Sequence, residues 1–313
     1  MHIPDGFIDA KTALLTGALS AVGLGAALRS LKKRFPTRRT PLVGLAAAFV
    51  FSAQMLNFPV AGGTSGHLIG AVLIAVLLGP SAAVVALSTV LIIQCFMFAD
   101  GGLTALGANI FNMAIVAPGV GFLIYQLLRR FHRDSTQGRL FATAVAAWTS
   151  TVMASVFCAG ELAFSGTVQW KAVFPAMAGV HMLIGLGEAV ITTLVVAAVW
   201  ASRPELIPDQ SHESLKSGLV EFVLYGILIS VGLVLFIAPW ASSWPDGLER
   251  VAALLGFEHR AAGKAVLLAP LPDYAVPGLH SPVASTVIAG AAGLLVVFIV
   301  ATILARSLRL KKI

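Results

Sequence analysis

Eight predominantly apolar runs, each close to the length a helix needs to cross a bilayer, constrain this chain more than any other feature. They cover residues 12–31, 41–58, 81–98, 109–128, 140–160, 174–200, 218–239 and 283–305. A hydrocarbon core about 30 Å thick takes about 20 apolar residues in helix. A lone spanning segment must also satisfy its backbone internally, which a helix does. The 313 residues are 58% hydrophobic and 11% charged, with a mean hydropathy of +0.91. A soluble domain rarely combines such values. The expected fold class is therefore an all-α polytopic membrane protein. No basic cluster precedes the first run, so its start does not read as an ordinary secretory signal.

A ninth run, HLIGAVLIAVLLG at 67–79, is short, and Gly79-Pro80-Ser81 parts it from the next. Charge parity decides how to count it. Basic residues cluster at Arg29, Lys32, Lys33, Arg34, Arg38 and Arg39; at Arg129, Arg130, Arg133 and Arg139; at Arg203 and Lys216; and at Arg306, Arg309, Lys311 and Lys312. All four clusters fall on one side only if 67–79 counts as a span. About nine spans then put sixteen of the 21 lysines and arginines inside, leaving Lys11, Lys171, Arg250, Arg260 and Lys264 outside. Cytoplasmic loops carry this excess, so the N-terminus is expected outside and the C-terminus in the cytoplasm. Asp5, Asp9, Asp100, Glu161, Asp246, Glu249, Glu258 and Asp273 are then expected on the outer side, where they would favour arriving cations.

Three parts are expected. Residues 1–201 form a seven-helix membrane domain, 202–217 a polar cytoplasmic linker with Pro204 and Pro208, and 218–313 a two-helix module with a long external loop at 240–282. Basic residues confined to short clusters between spans argue against nucleic-acid binding. Cys95 and Cys158 sit in apolar runs and read as core residues. The string GFEHRAAGKA lacks the spacing and hydroxyl of a phosphate loop, so ATP hydrolysis is not expected of this chain. Ala13, Gly17, Ala21 and Gly25 recur at four-residue spacing, which lets helices approach closely. Packing within the bundle is expected for this stripe, with docking on another membrane subunit the alternative.

The opening Met1-His2 has chemistry of its own. An unblocked amine and the His2 backbone nitrogen close a five-membered ring on a metal; that nitrogen and His2 Nδ1 close a six-membered one. If the amide loses its proton, three nitrogens share a plane. Square-planar nitrogen ligation points to Ni(II) or Cu(II), with Co(II) possible. The expected fourth donor is His67, which follows Gly62, Gly63 and Gly66 on the same side. Pro4-Asp5-Gly6 offers a turn that folds the terminus back.

Taken in order, MHIPDGF at 1–7, GTSGHLIG at 63–70, GANIFNMA at 107–114 and HMLIGLGEAVIT at 181–192 resemble the substrate-specific membrane subunit of cobalt/nickel energy-coupling-factor transporters, the CbiM/NikM family. The resemblance spans residues 1–201. It implies a metal site at Met1, His2 and His67, transported Co(II) or Ni(II) as cargo and no resident cofactor. It also implies partners: a transmembrane coupling subunit of the CbiQ/NikQ type and cytoplasmic ATPases of the CbiO/NikO type. The tail, with PDGLE at 245–249, resembles the accessory subunit of these systems, fused as in the nickel-type NikMN arrangement.

Other polar residues have two readings each. His181 and Glu188 share a helix face, and intramembrane ionisable groups need partners or a function. They are expected to form either a shell behind the metal and a release path, or a bonded pair bracing the bundle. Asn109 and Asn112 are candidates for orienting His67 or the terminus, or are packing residues. His259 and His280 in the external loop and His132 and His212 on the cytoplasmic side are expected to be solvated. A stand-alone secondary transporter would need paired intramembrane carboxylates, and only Glu188 lies deep in a span. An intramembrane metalloenzyme would need an open metal position.

Overall fold

The computed structural model describes residues 1–131, 135–207, 218–261 and 266–308, apart from the side chains of Arg34 and Thr37. The expected positions His132, Arg133, His212, Lys216, Lys264, Arg309, Lys311 and Lys312, with most of the 202–217 linker, lie outside the described residues.

Among the described residues seven helices are long and apolar enough to cross a membrane. They are α1 (Ala10–Arg34), α4 (Pro80–Phe98), the continuous Leu106–Arg129 unit, α7 (Thr136–Phe164), α8 (Trp170–Ser202), α9 (Leu219–Phe236) and α11 (Pro282–Ser307). The third of these comprises α5 (Leu106–Asn109), a π-helical stretch Ile110–Val116 and α6 (Ala117–Arg129). Two apolar helices are shorter: α2 (Thr40–Gln54) and α3 (Ala71–Leu78). At 1.5 Å per residue the eight residues of α3 rise only about 12 Å. The sequence run at 67–79 is thus a short helix with an irregular lead-in, stopped where Gly79 turns left-handed and Pro80 opens α4. It is enclosed by α4, α6, α7 and α8, where non-helical backbone is tolerated within a membrane protein.

Caps set the starts. The Asp9 side chain accepts the Thr12 N–H at α1, Ser135 accepts that of Gly138 at α7, and Ser281 accepts that of Ala284 at α11. Large apolar side chains line the outward faces, among them Leu14 and Val22 of α1, Leu194 of α8 and Leu228 of α9. In water this would be a hazard; facing lipid it is the ordinary arrangement. The buried face of α1 is Thr12, Thr16, Ser20, Ala27 and Leu31. Gly17 meets the backbone of Gly107 on one flank, but a side chain at Gly17 or Gly25 would enter open space, and Ala21 is exposed. The stripe is therefore divided: Ala13 and Gly17 pack inside the bundle as expected, whereas Ala21 and Gly25 face outward.

One end of the bundle is closed by loops bonded to each other. A hairpin of β1 (Phe58–Val60) and β2 (Thr64–Gly66) pairs Pro59 with Ser65. The Ser65 N–H donates to Pro245 O at 2.8 Å and its hydroxyl to Trp244 O at 2.6 Å. Ser242 N donates to Asn57 O and Leu271 N to Met97 O. The segment after α9, with its short helix α10 (Gly247–Leu255), therefore lies across the hairpin and the end of α4.

Candidate metal centre

The first seven residues run into this end as extended chain and a turn, with Ile3 fully buried and Met1 4% exposed. Two elements hold them. Asn109, at the end of α5, clamps Ile3 from both sides: its Oδ1 accepts the Ile3 N–H at 2.8 Å and its Nδ2 donates to Ile3 O at 3.1 Å. Asp5 Oδ1 accepts the Thr104 N–H and hydroxyl at 2.8 and 2.6 Å. Gly102 donates its N–H to Ile3 O at 2.8 Å. A Cβ at Gly102 would stand 2.2 Å from Asp5 N, so only glycine permits this approach.

The terminal amine arrives beside His67. Its nitrogen stands 2.9 Å from His67 Nε2 and donates to Asp246 Oδ2 at 2.6 Å. His67 Nδ1 faces Leu68 O at 3.2 Å; with the proton there, Nε2 presents its lone pair to the amine. The His2 and His67 rings meet edge to face with centroids 5.3 Å apart. The His2 Nδ1 itself turns to Asp100, 3.1 Å from Oδ1. The structure thus brings the amine and His67 into contact and the His2 imidazole next to them, with Nδ1 pointing aside. Burial would raise the Asp246 carboxyl, but the charge and N–H of the amine and the Glu249 backbone N–H hold it well below the usual carboxylate range. Glu249 is pushed up, by burial and then by the Asp246 charge.

The remaining candidates separate. Glu188 and His181 do not bond each other. Glu188 accepts the backbone N–H groups of Ile69 and Gly70 at 2.6 and 2.9 Å, so it fixes the start of α3 and the chain just after His67. His181 Nδ1 faces Met177 O at 2.8 Å, and its ring lines a small cavity with Met1, His67, Thr151 and Asp246. Asn112 is not near His67; it donates to Glu161 Oε2 at 2.6 Å. Glu161, one of the acids expected on the outer side, is 6% exposed. Asp246 was read only as one of several outer acids. Its one sequence signal is Asp246-x-x-Glu249, a capping pair ahead of an apolar helix. Among the described residues no three His, Cys, Asp or Glu side chains gather as a metal cluster. Ligation at this end would draw on the amine and backbone nitrogen as well as imidazole.

A larger polar hollow of about 380 Å³ opens next to these groups, lined by His2, His67, Asp100, Asp246, Glu249 and Asp273 among others. A helical membrane bundle with a buried chain terminus and an imidazole under an acid-lined hollow has the form of a cation-handling membrane protein. Residues 2–206 match the CbiM family, described as a cobalt uptake substrate-specific transmembrane region, and residues 220–310 match the PDGLE domain. The chain belongs to the CbiM family, with a PDGLE domain in its C-terminal part. It is 38% identical over 311 residues to a putative fused nickel transport protein NikMN of Archaeoglobus fulgidus, covering 99% of each chain. It is 31% identical over 310 residues to the fused nickel transport protein NikMN of Rhodobacter capsulatus, covering 88% of each. A solved structure described as a truncated transition metal transporter superposes with a TM-score of 0.59 at 35% identity, over 64% of this chain and 99% of that one.

Proposed function

We propose that the chain captures Co(II) or Ni(II) at the outer face and passes it inward as the substrate-binding part of an ATP-driven energy-coupling-factor importer. The ligands are Met1 N, His2 N, His2 Nδ1 and His67 Nε2. One observation carries this reading: the amine stands 2.9 Å from His67 Nε2. Two nitrogens bound at about 2.0 Å and at right angles on one metal stand about 2.8 Å apart. The pair therefore already has the spacing of neighbouring corners of a square. The chelate is completed when the His2 ring turns from Asp100 and the amine and the His2 amide give up a proton each. Planar nitrogen ligation suits Ni(II), and the groups around it can adapt it to Co(II).

In this reading α2 and α3 join the seven long helices as short passages, giving nine spans with the metal end outside and the basic clusters inside. Asn109 and Glu188 hold the two donor segments, and His181 lies on the cavity beside them. A coupling membrane subunit and cytoplasmic ATPases supply the energy. The test is titration of the purified chain, its Met1 unblocked, with Ni(II) and Co(II). His67→Ala should lose high-affinity binding while staying folded in detergent. Native affinity in that variant refutes the site.

A further inference from the structure

Asp246 uses its two oxygens for different tasks. Oδ1 accepts the Glu249 N–H at 2.8 Å, and Glu249 Oε2 accepts the Asp246 N–H at 2.9 Å, a reciprocal cap on α10. Oδ2 takes the amine of Met1 at 2.6 Å. The amine belongs to the part of the chain that matches CbiM, and the carboxylate to the part that matches the PDGLE domain. Among their contacts, the two parts meet at a donor atom of the proposed chelate.

The carboxylate is not free to wander. Leu248 beside it is fully buried. Pro245 O and Trp244 O are held by Ser65, two residues before His67. A Cβ on Gly247 would stand 2.7 Å from the His181 ring, so glycine there lets the first turn of α10 seat directly on α8. On the bundle's own side the amine meets His67 and the His2 ring meets Asp100, and the first bond to the terminal backbone is at Ile3, two residues on. Between Ile3 and the amine lie several rotatable bonds, and Asp246 and His67 are the two groups that fix where the nitrogen ends.

We propose that Asp246 is a positioning residue of the metal centre: it holds the terminal amine against His67, so that the PDGLE-containing module completes the chelate. This rests on the four-nitrogen reading above. A coordinated amine keeps two N–H bonds, so Oδ2 keeps a donor when the nitrogen lone pair turns to the cation. The carboxylate then also offsets part of the positive charge brought in. Groups that orient a ligand in this way are worth about 10–100-fold in metal affinity.

The full-length chain with a free Met1 is titrated with Ni(II) as the native protein, Asp246→Asn, Asp246→Ala and His67→Ala. Asparagine caps helices as well as aspartate does. The Asn variant therefore keeps the α10 cap and its thermal stability while losing the charge that holds the amine. The expected result is an affinity lowered by about 10–100-fold in Asp246→Asn, with the ligand-field absorption of the saturated site unmoved because all four nitrogens remain. The Ala variant should lose the same affinity and also unfold earlier. If the Asn variant folds poorly, Asp246→Ser keeps a cap and gives the same readout. Native affinity in Asp246→Asn beside lost binding in His67→Ala overturns the positioning role and leaves the four-nitrogen site standing. A shifted absorption at saturation makes Asp246 a ligand and also overturns it. Native affinity in His67→Ala overturns both.

Discussion

Acetylating the amine of Met1 is the perturbation that bears most directly on the site. The nitrogen lies 2.9 Å from His67 Nε2 and 2.6 Å from Asp246, and Met1 is 4% exposed. The cavity shared by Met1, His67, His181 and Asp246 is about 10 Å³, barely room for one water. An acetyl group adds three heavy atoms there and cannot be housed without moving the terminus. It also turns the amine into an amide, which would have to lose a proton of its own to ligate and no longer offers an amine to anchor the metal, so one of four donors is lost near neutral pH. Four-ligand sites are worth roughly 10–16 kcal/mol, so one donor is worth about 3 kcal/mol, or about two decades in affinity. The assay is competition titration of acetylated and unblocked chains with Ni(II), each checked by mass. Acetylation is a cleaner test than adding a residue. A Gly-Met-His terminus would offer an amine, two amides and an imidazole of its own, a planar set independent of His67. Equal affinity of the acetylated and unblocked chains would show that the amine is not a ligand.

Two further outcomes follow from the same geometry. In Glu188→Gln one carboxyl oxygen becomes an NH₂ group, so either Ile69 N or Gly70 N loses its acceptor. A buried donor left unpaired costs about 1–3 kcal/mol, read as a lower unfolding temperature in detergent together with weaker metal binding as the His67 segment loosens; unchanged stability would count against the clamp. Metal affinity should fall with acid, because the amine and the amide must both lose protons, so potentiometry should find about two protons released per metal at neutral pH. Asp246 does not contribute to that fall. Its carboxyl is held low, so the stability it lends is complete above the ordinary carboxylate value and is lost only as pH drops through the lowered one.

What could be read in advance divides along physical lines. Span existence was legible because the bilayer imposes length and hydropathy on each helix separately; residues 174–200 lie within the 33-residue α8 for that reason. Helices enclosed by their neighbours were legible in place but not in extent: the run at 67–79 holds an eight-residue α3, since a segment enclosed by other helices need not match the bilayer's thickness. Met1, His2 and His67 were singled out because a terminal Met-His chelate is local chemistry, and the structure sets Met1 beside His67. The Met1–Asp246 bond joins residues 245 apart, and no periodicity carries such a pairing. His181 and Glu188 were rightly placed on one face, but a seven-residue spacing says only where they point, not that Glu188 meets the backbone at Ile69. The burial of Glu161 was not legible, because an acid near a span end shows no sign of a buried partner such as Asn112.

The balance of the terminal segment explains why clamps spread over four elements bear on one nitrogen. Ordering a residue costs about 1–2 kcal/mol, and a chain end has no covalent neighbour to share that cost. Against it stand the burial of Ile3 and Phe7, worth about 1.5–3 kcal/mol each, and the bonds from Asn109, Gly102, Thr104 and Thr167, worth about 0.5–1.5 kcal/mol each. These opposing amounts are similar in size, so each bond at the terminus counts in holding it. A group that adds one charged bond at the very end, as Asp246 does, therefore changes where the amine spends its time more than the same bond would inside a helix. A donor set built on a chain terminus needs its holding groups distributed around it, and the module that carries Asp246 supplies the side that the membrane bundle leaves open.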